Sequence, residues 1–269
     1  MLNLMRADMY RLLRGKGIYI TLAVMIGIAV LTVFVFRSAM QVGVVGEPPN
    51  LEGEYYSPFR QQEVITGADA ARMAVSSMEV LMYIFLPLII MVAMTPFSSS
   101  AVKNELTIGF SRMKYYFSKL VLSSILSVAF MIINVLVFVI FGTVRDGFGY
   151  WGSGFGLEML QIIAAQVLFA LAFNGVGLFL CFSIRKAGAT EGIYIAFTLV
   201  PQIAAALLSI AFLWASRILY FDLASLFSMF ANIAHLTTTE IVRGLLVGLG
   251  WLIVPTVAGL AIFQRADIR

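Results

Sequence analysis

The sequence predicts an all-α, polytopic membrane protein: a single transmembrane domain over residues 1–269, six transmembrane helices, and both termini inside. Three observations carry this reading. First, 61% of the 269 residues are hydrophobic and 12% are charged, against about 25% charged in soluble domains. With mean hydropathy at +0.97 and 22 Phe and 14 Met along the chain, the apolar residues exceed what one soluble core encloses, and lipid becomes their solvent. Second, six runs, at 18–36, 80–97, 120–141, 157–184, 193–214 and 241–263, are mostly apolar and long enough to cross a hydrocarbon layer of about 30 Å at about 1.5 Å per helical residue. Third, the basic residues are asymmetric. Arg6, Arg11, Arg14 and Lys16 at the N-terminal arm, Lys103, Arg112, Lys114 and Lys119 in the second loop, Arg185 and Lys186 in the fourth, and Arg265 and Arg269 at the end make 12 of the 18 Lys and Arg. Positive segments stay in the cytoplasm, which an even number of spans with both ends inside satisfies. The apolar runs lack strand-like alternation, and backbone groups in lipid must be satisfied internally, so helices are favoured over a barrel.

Taken in order, residues 1–16 place Leu2, Met5, Met9, Leu12 and Leu13 on one helical face and Asn3, Arg11 and Arg14 on the other. That spacing suits an interfacial helix lying on the inner leaflet, with Arg6, Arg11 and Arg14 toward headgroups. The first span follows basic residues as a signal peptide would. Its run is longer than a usual h-region and no small-residue cleavage pattern follows Phe36, which predicts a retained helix. The external loop, 37–79, opens with Gly43, Gly46, Pro48, Pro49 and Asn50, while Gly67 to Glu79 reads as helical and leads toward the second span. Without staples it is too short for an independent domain, and reads as a lid or gate. Between spans three and four, Gly142 to Gly156 holds six glycines with Phe148, Tyr150 and Trp151 among them, an interface belt by composition.

The cytoplasmic loop 98–119 is the most informative stretch. Ser98 to Ser100 offer caps, Val102 to Ile108 reads as a short helix, Gly109 stops it, and a second amphipathic piece leads into span three. A helix too polar for lipid and too small for a domain reads as a docking element for a soluble partner, with Leu106, Ile108 and Phe110 as its apolar anchors and Glu105 and Arg112 as its charges.

The pattern Lys103-Asn104-Glu105, then Gly109, Ser111-Arg112, Tyr116 and Ser118-Lys119, with Arg6, Asp8, Tyr10 and Arg11 ahead of the first span, resembles the permease subunits of type 2 ABC exporters, of the bacterial peptide, lantibiotic-immunity and antibiotic-resistance kind. The resemblance implies that Lys103 to Arg112 form the coupling helix seated in a cleft of a separate ATPase, flanked by the N-terminal interfacial helix. It also implies a second permease subunit, identical or different, an amphiphilic cargo (peptide, lipid or drug) moved outward, and residence in the bacterial cytoplasmic membrane.

This chain carries no phosphate-binding loop. Gly15-Lys16 is followed by Gly17, with Tyr10 where the leading glycine belongs. ATP and Mg are therefore expected on the partner, with no cofactor in this chain. One Cys (Cys181) and one His (His235) exclude a disulfide framework and a multi-His metal centre, and the basic balance, lacking a soluble basic domain, points to membrane lipids and away from nucleic acid. Two alternatives compete. One is an intramembrane serine protease using Ser153 and His235. It is weakened by Trp151 two residues before the serine and by the placement of both groups in watery loops. The other is a sensor or assembly factor in which the second loop docks a different partner.

Within the spans, Asn134, Gln161, Gln166 and Asn174 are costly against lipid and should face the bundle interior, either along a substrate path or as interhelical links, the more common use. Pro87 and Pro201 predict kinks, Gly244 and Gly248 a close-packing face, and Cys181 a small buried apolar residue.

Overall fold

The computed structural model describes residues 2–42, 66–94, 111–150, 152, 154–210 and 212–265, and these are helical throughout with no strand. The elements are α1 (Leu2–Arg14), α2 (Lys16–Val42), α3 (Gly67–Ser76), α4 (Leu81–Ala93), α5 (Arg112–Asp146), α6 (Phe155–Ile184), α7 (Ala187–Ser209), α8 (Leu223–Phe230) and α9 (Thr238–Arg265), with 3-10 turns at Met78–Val80, Leu213–Tyr220 and Ile233–His235. Helices α2, α5, α6, α7 and α9 are each long and apolar enough to cross a membrane. A sixth crossing exists if α3 and Met78–Ala93, bent by 46° at their junction, count as one span. The chain is a multi-pass membrane protein.

Helix α6 is the axis of the bundle. Of its most apolar window 67% is buried, against 17% for α2, α7 and α9, and α4, α5, α7, α8 and α9 all pack on it. The outer helices turn apolar stripes outward. Ile20, Val24, Ile28 and Leu31 of α2, and Leu246, Ile253, Val254 and Val257 of α9, are all exposed. In water such surfaces would drive aggregation, whereas in hydrocarbon they are the solvated face. Where α9 meets α8 and α6 its small residues lie inward. A Cβ on Gly244 would sit 2.3 Å from a ring carbon of Phe230, and one on Gly248 would sit 2.8 Å from Phe169. Glycine at both positions is what admits those rings, as the Gly244/Gly248 spacing predicts.

The segment Gly67–Ala93 departs from a straight rod. Thr66 caps α3 through a reciprocal box, its hydroxyl receiving the Asp69 amide while the Asp69 carboxylate receives the Thr66 amide, and this fixes where the helix starts. The small residues Ala68, Ala70, Ala71 and Ala74 then bury against the rest of the bundle, chiefly α5. The sharp turn falls at Ser77, between α3 and Met78, and Pro87 sits inside α4 beyond it. Two other boundaries also differ from expectation. Helix α5 continues through Gly142 to Asp146, because Gly142 is buried against Ala70 and Gly67 of α3 and belongs to that crossing. Helix α7 ends at Ser209, and within 213–236, where the sequence leaves a loop between spans, α8 and its flanks fold back into the bundle as a plug. Asp222 caps α8 by accepting from the Ser225 amide at 2.9 Å, and Leu223, Ala224, Leu226, Phe227 and Phe230 are all buried. Trp251 Nε1 donates to the Phe221 carbonyl at 2.9 Å and the Arg243 guanidinium lies 3.9 Å over the Tyr220 ring, clipping the plug to α9.

Candidate functional site

At one end of the bundle lie α1, the first turns of α5 and the last turns of α6 and α9. Charge is organised there in an unusual way. Lys119 has no exposed surface, yet its ammonium meets the Asp8 carboxylate at 2.5 Å, and Asp8 is 2% exposed. Asp8 also receives Arg11 at 2.7 Å, and the Lys119 ammonium lies 4.8 Å from the centre of the Tyr115 ring. The pair joins residues 111 positions apart and locks α1 to α5. Leu4, Asp8 and Leu12 form the buried face of α1, with Leu13 half exposed. The burying stripe is thus rotated from the one the Leu and Met spacing predicts, because Asp8 must reach Lys119. Arg6 and Arg14 stay exposed, and Arg14 covers the Tyr10 ring.

One turn earlier, Ser111 caps α5 by accepting from the Lys114 amide. Arg112 Nη1 donates to the carbonyls of Phe263, at 3.2 Å, and Gln264, at 2.6 Å, satisfying the last carbonyls of α9 with a cation where the helix dipole favours one. Beneath it Tyr115, Tyr116, Phe182 and Phe263 pack ring against ring. The stem entering the bundle at 111–119 is therefore held by α1 on one side and α9 on the other. Of the proposed coupling residues, Ser111 and Arg112 are placed, while Lys103, Asn104, Glu105, Leu106, Ile108, Gly109 and Phe110 lie outside the described residues, as does Ser153.

The in-membrane polar residues divide. Asn174 donates to Ser127 at 3.0 Å and to the Ala170 carbonyl at 2.8 Å, linking α6 to α5. Gln166 Nε2 donates to the Val75 carbonyl at 2.8 Å and the Phe227 carbonyl at 3.3 Å, stitching α3 and the plug to α6. Both are fully buried, and both act as interhelical links. Asn134 is buried beside a small void of about 20 Å³ that Thr32 and Ser77 also line. Gln161 behaves differently: it is exposed on α6, at the end of the bundle opposite the Asp8–Lys119 pair. There a groove of about 750 Å³ runs between α6, the start of α9 and the turn after α8. Leu157, Ala164, Leu168, Phe230, Ile241 and Leu245 line its walls, and Arg72, Glu158 and Gln161 its rim. His235 is exposed nearby, in the turn that precedes α9.

Sequence reasoning missed both the ion pair and the groove. For the pair a signal existed: Asp8 sits four residues from Leu4 and Leu12, and Lys119 sits four from Tyr115 and three from Leu122, a charge of each sign in the middle of an apolar stripe. The groove has no such signal, because the residues forming it come from five separate elements. The chain matches no protein-family model and no curated protein, so the bracket around 111–119, the polar links and the groove are the observations on which its function rests.

Proposed function

We propose that this chain is the permease subunit of an ATP-driven exporter of the type 2 ABC kind. In this reading it resides in the bacterial cytoplasmic membrane with six spans and both termini inside. It pairs with a second permease and with separate ATPases that bind ATP and Mg, and it moves an amphiphilic substrate outward. The observation that carries the reading is the bracket at the basic end. A docking helix between the second and third spans can transmit force only if its stem is stiff, and the stem at 111–119 is joined to α1 by a buried ion pair and to α9 through Arg112. Closure of an ATPase dimer against Lys103 to Arg112 would then move α1, α5 and α9 together, a rigid-body response.

The choice of probe follows from the geometry. Arg112 already holds the end of α9, so Arg112→Glu would loosen the bracket as well as any partner contact. Leu106→Ala removes no charge, and under this proposal it removes an anchor of the docking helix, costing about 2 kcal/mol or more, a loss of about thirtyfold in affinity for the ATPase. Copurification of the ATPase, and its stimulated turnover, should fall with Leu106→Ala at matched membrane levels. Normal retention and stimulation would remove Lys103 to Arg112 as the docking site.

A further inference from the structure

The groove at the end opposite the basic bracket combines an apolar trough with a loose pair of opposite charges at its mouth. Arg72 on α3 and Glu158 on the first turn of α6 approach to 3.7 Å, with side chains 59% and 31% exposed. That separation exceeds the roughly 2.7–3.2 Å of a made hydrogen bond. The guanidinium has five donors and the carboxylate about four acceptor positions, so each keeps most of its capacity. Arg72 is steadied by the Phe155 ring, 5.4 Å from its centroid. Below the mouth the walls run along α6 from Leu157 to Leu168. At about 1.5 Å per residue that is roughly 16 Å, about half of a hydrocarbon layer roughly 30 Å thick and thus the depth of one leaflet. The volume of about 750 Å³ falls within the roughly 300–1,000 Å³ of small-molecule pockets, room for a headgroup and one chain with the second chain left in the bilayer.

We propose that this groove is a binding site for one phosphoethanolamine phospholipid, with an acyl chain between α6 and α9, its phosphate on Arg72 and its ammonium on Glu158. The headgroup is selected by charge order. A zwitterion answers both rim charges. A phosphoglycerol headgroup places its one charge, the phosphate, on Arg72 and brings no cation to Glu158. A phosphocholine headgroup offers the right charges without the N–H donors that the carboxylate accepts. The exposed stripes of α2 and α9 would contact the same lipids without such discrimination, since they carry no paired charges. The proposal does not depend on the exporter reading, because lipid retention is measured on this chain without an ATPase, and ATPase copurification can fail or succeed separately.

The test uses the purified full chain in detergent, titrated with palmitoyl-oleoyl phosphatidylethanolamine, phosphatidylglycerol or phosphatidylcholine, with retained lipid read by native mass spectrometry. The expected result is one phosphatidylethanolamine retained about tenfold more tightly than phosphatidylglycerol, the ratio that about 1.4 kcal/mol produces. Soluble glycerophosphoethanolamine, lacking chains, should not displace it. Ala164 is exposed on the groove wall, so Ala164→Phe fills the trough and should weaken retention about tenfold, while Val254→Phe on the open face of α9 should leave it unchanged. Glu158→Gln should abolish the preference over phosphatidylglycerol, a change of selectivity that misfolding would not produce and that decides the matter if Ala164→Phe fails to accumulate. Equal retention of the three lipids by the wild-type chain, displacement by the chainless headgroup, normal retention by Ala164→Phe, or an undiminished preference in Glu158→Gln would each overturn the site.

Discussion

A lysine with no exposed surface is the costliest residue in this molecule, and Asp8 is what makes it tolerable. Desolvating either charge by itself costs several kcal/mol, and removing one partner of such a pair typically destabilises by about 3–5 kcal/mol, whereas replacing both with apolar groups is often neutral. Asp8→Asn should therefore lower the thermal midpoint of the detergent-solubilised protein sharply, and Asp8→Leu combined with Lys119→Met should recover most of the loss. Equal midpoints for the single and double variants would show that the pair contributes no specific coupling. At this scale the sequence is legible in type more than in partner. Gln166 and Asn174 are readable as interior because lipid rejects them, but the carbonyls of Val75 and Phe227, and the hydroxyl of Ser127, come from helices far away in the chain. No local pattern encodes those choices.

Two continuous apolar runs are read almost to the residue, 157–184 against Phe155–Ile184 and 241–263 against Thr238–Arg265, whereas 120–141 falls short of Arg112–Asp146 and 193–214 is displaced from Ala187–Ser209. The misread elements are those whose burial is decided by neighbours. The plug at 213–236 is short and broken, which in sequence looks like a loop, and contacts with distant residues, among them those of Phe227 and Phe230 with Phe169, make α8 core. Its fit depends on the missing side chain at Gly244. Gly244→Leu drives a Cβ into the Phe230 ring and should cost about 1–3 kcal/mol as overpacking, read as a lower unfolding temperature in detergent. Gly250→Leu on the same helix meets nothing within 4 Å and serves as the control. Comparable losses from both would mean that helix propensity, and not the α8–α9 contact, sets the cost.

For the whole molecule, Arg112, Lys119, Arg185 and Arg265 lie with Asp8 at one end of the bundle, and Glu158, Asp222 and Glu240 lie with Arg72 and Arg243 at the other. The positive-inside bias then predicts that a cysteine at residue 55 reacts with a membrane-impermeant reagent added from outside, while cysteines at residues 6 and 265 react only after permeabilisation. Background should be low because Cys181, the native thiol, is fully buried. Protection of residue 55 in intact cells would invert the molecule and with it the assignment of the bracket to the ATPase side. The all-helical, multi-pass character was readable from the apolar runs, since hydropathy is summed over many residues. The 46° bend was not readable that way, because summed hydropathy carries no direction.

That bend bears on how the protein is made. Helix α3 is alanine-rich and only weakly apolar, and its small residues are buried chiefly by α5, which the ribosome synthesises later. When the stretch from Gly67 to Ala93 leaves the ribosome, its first half has neither enough hydrophobicity to partition into lipid unaided nor the surface it will finally rest on. The order of synthesis therefore leaves α3 without its packing surface until α5 has arrived, and α5 acts as an intramolecular template for a segment that precedes it in the chain.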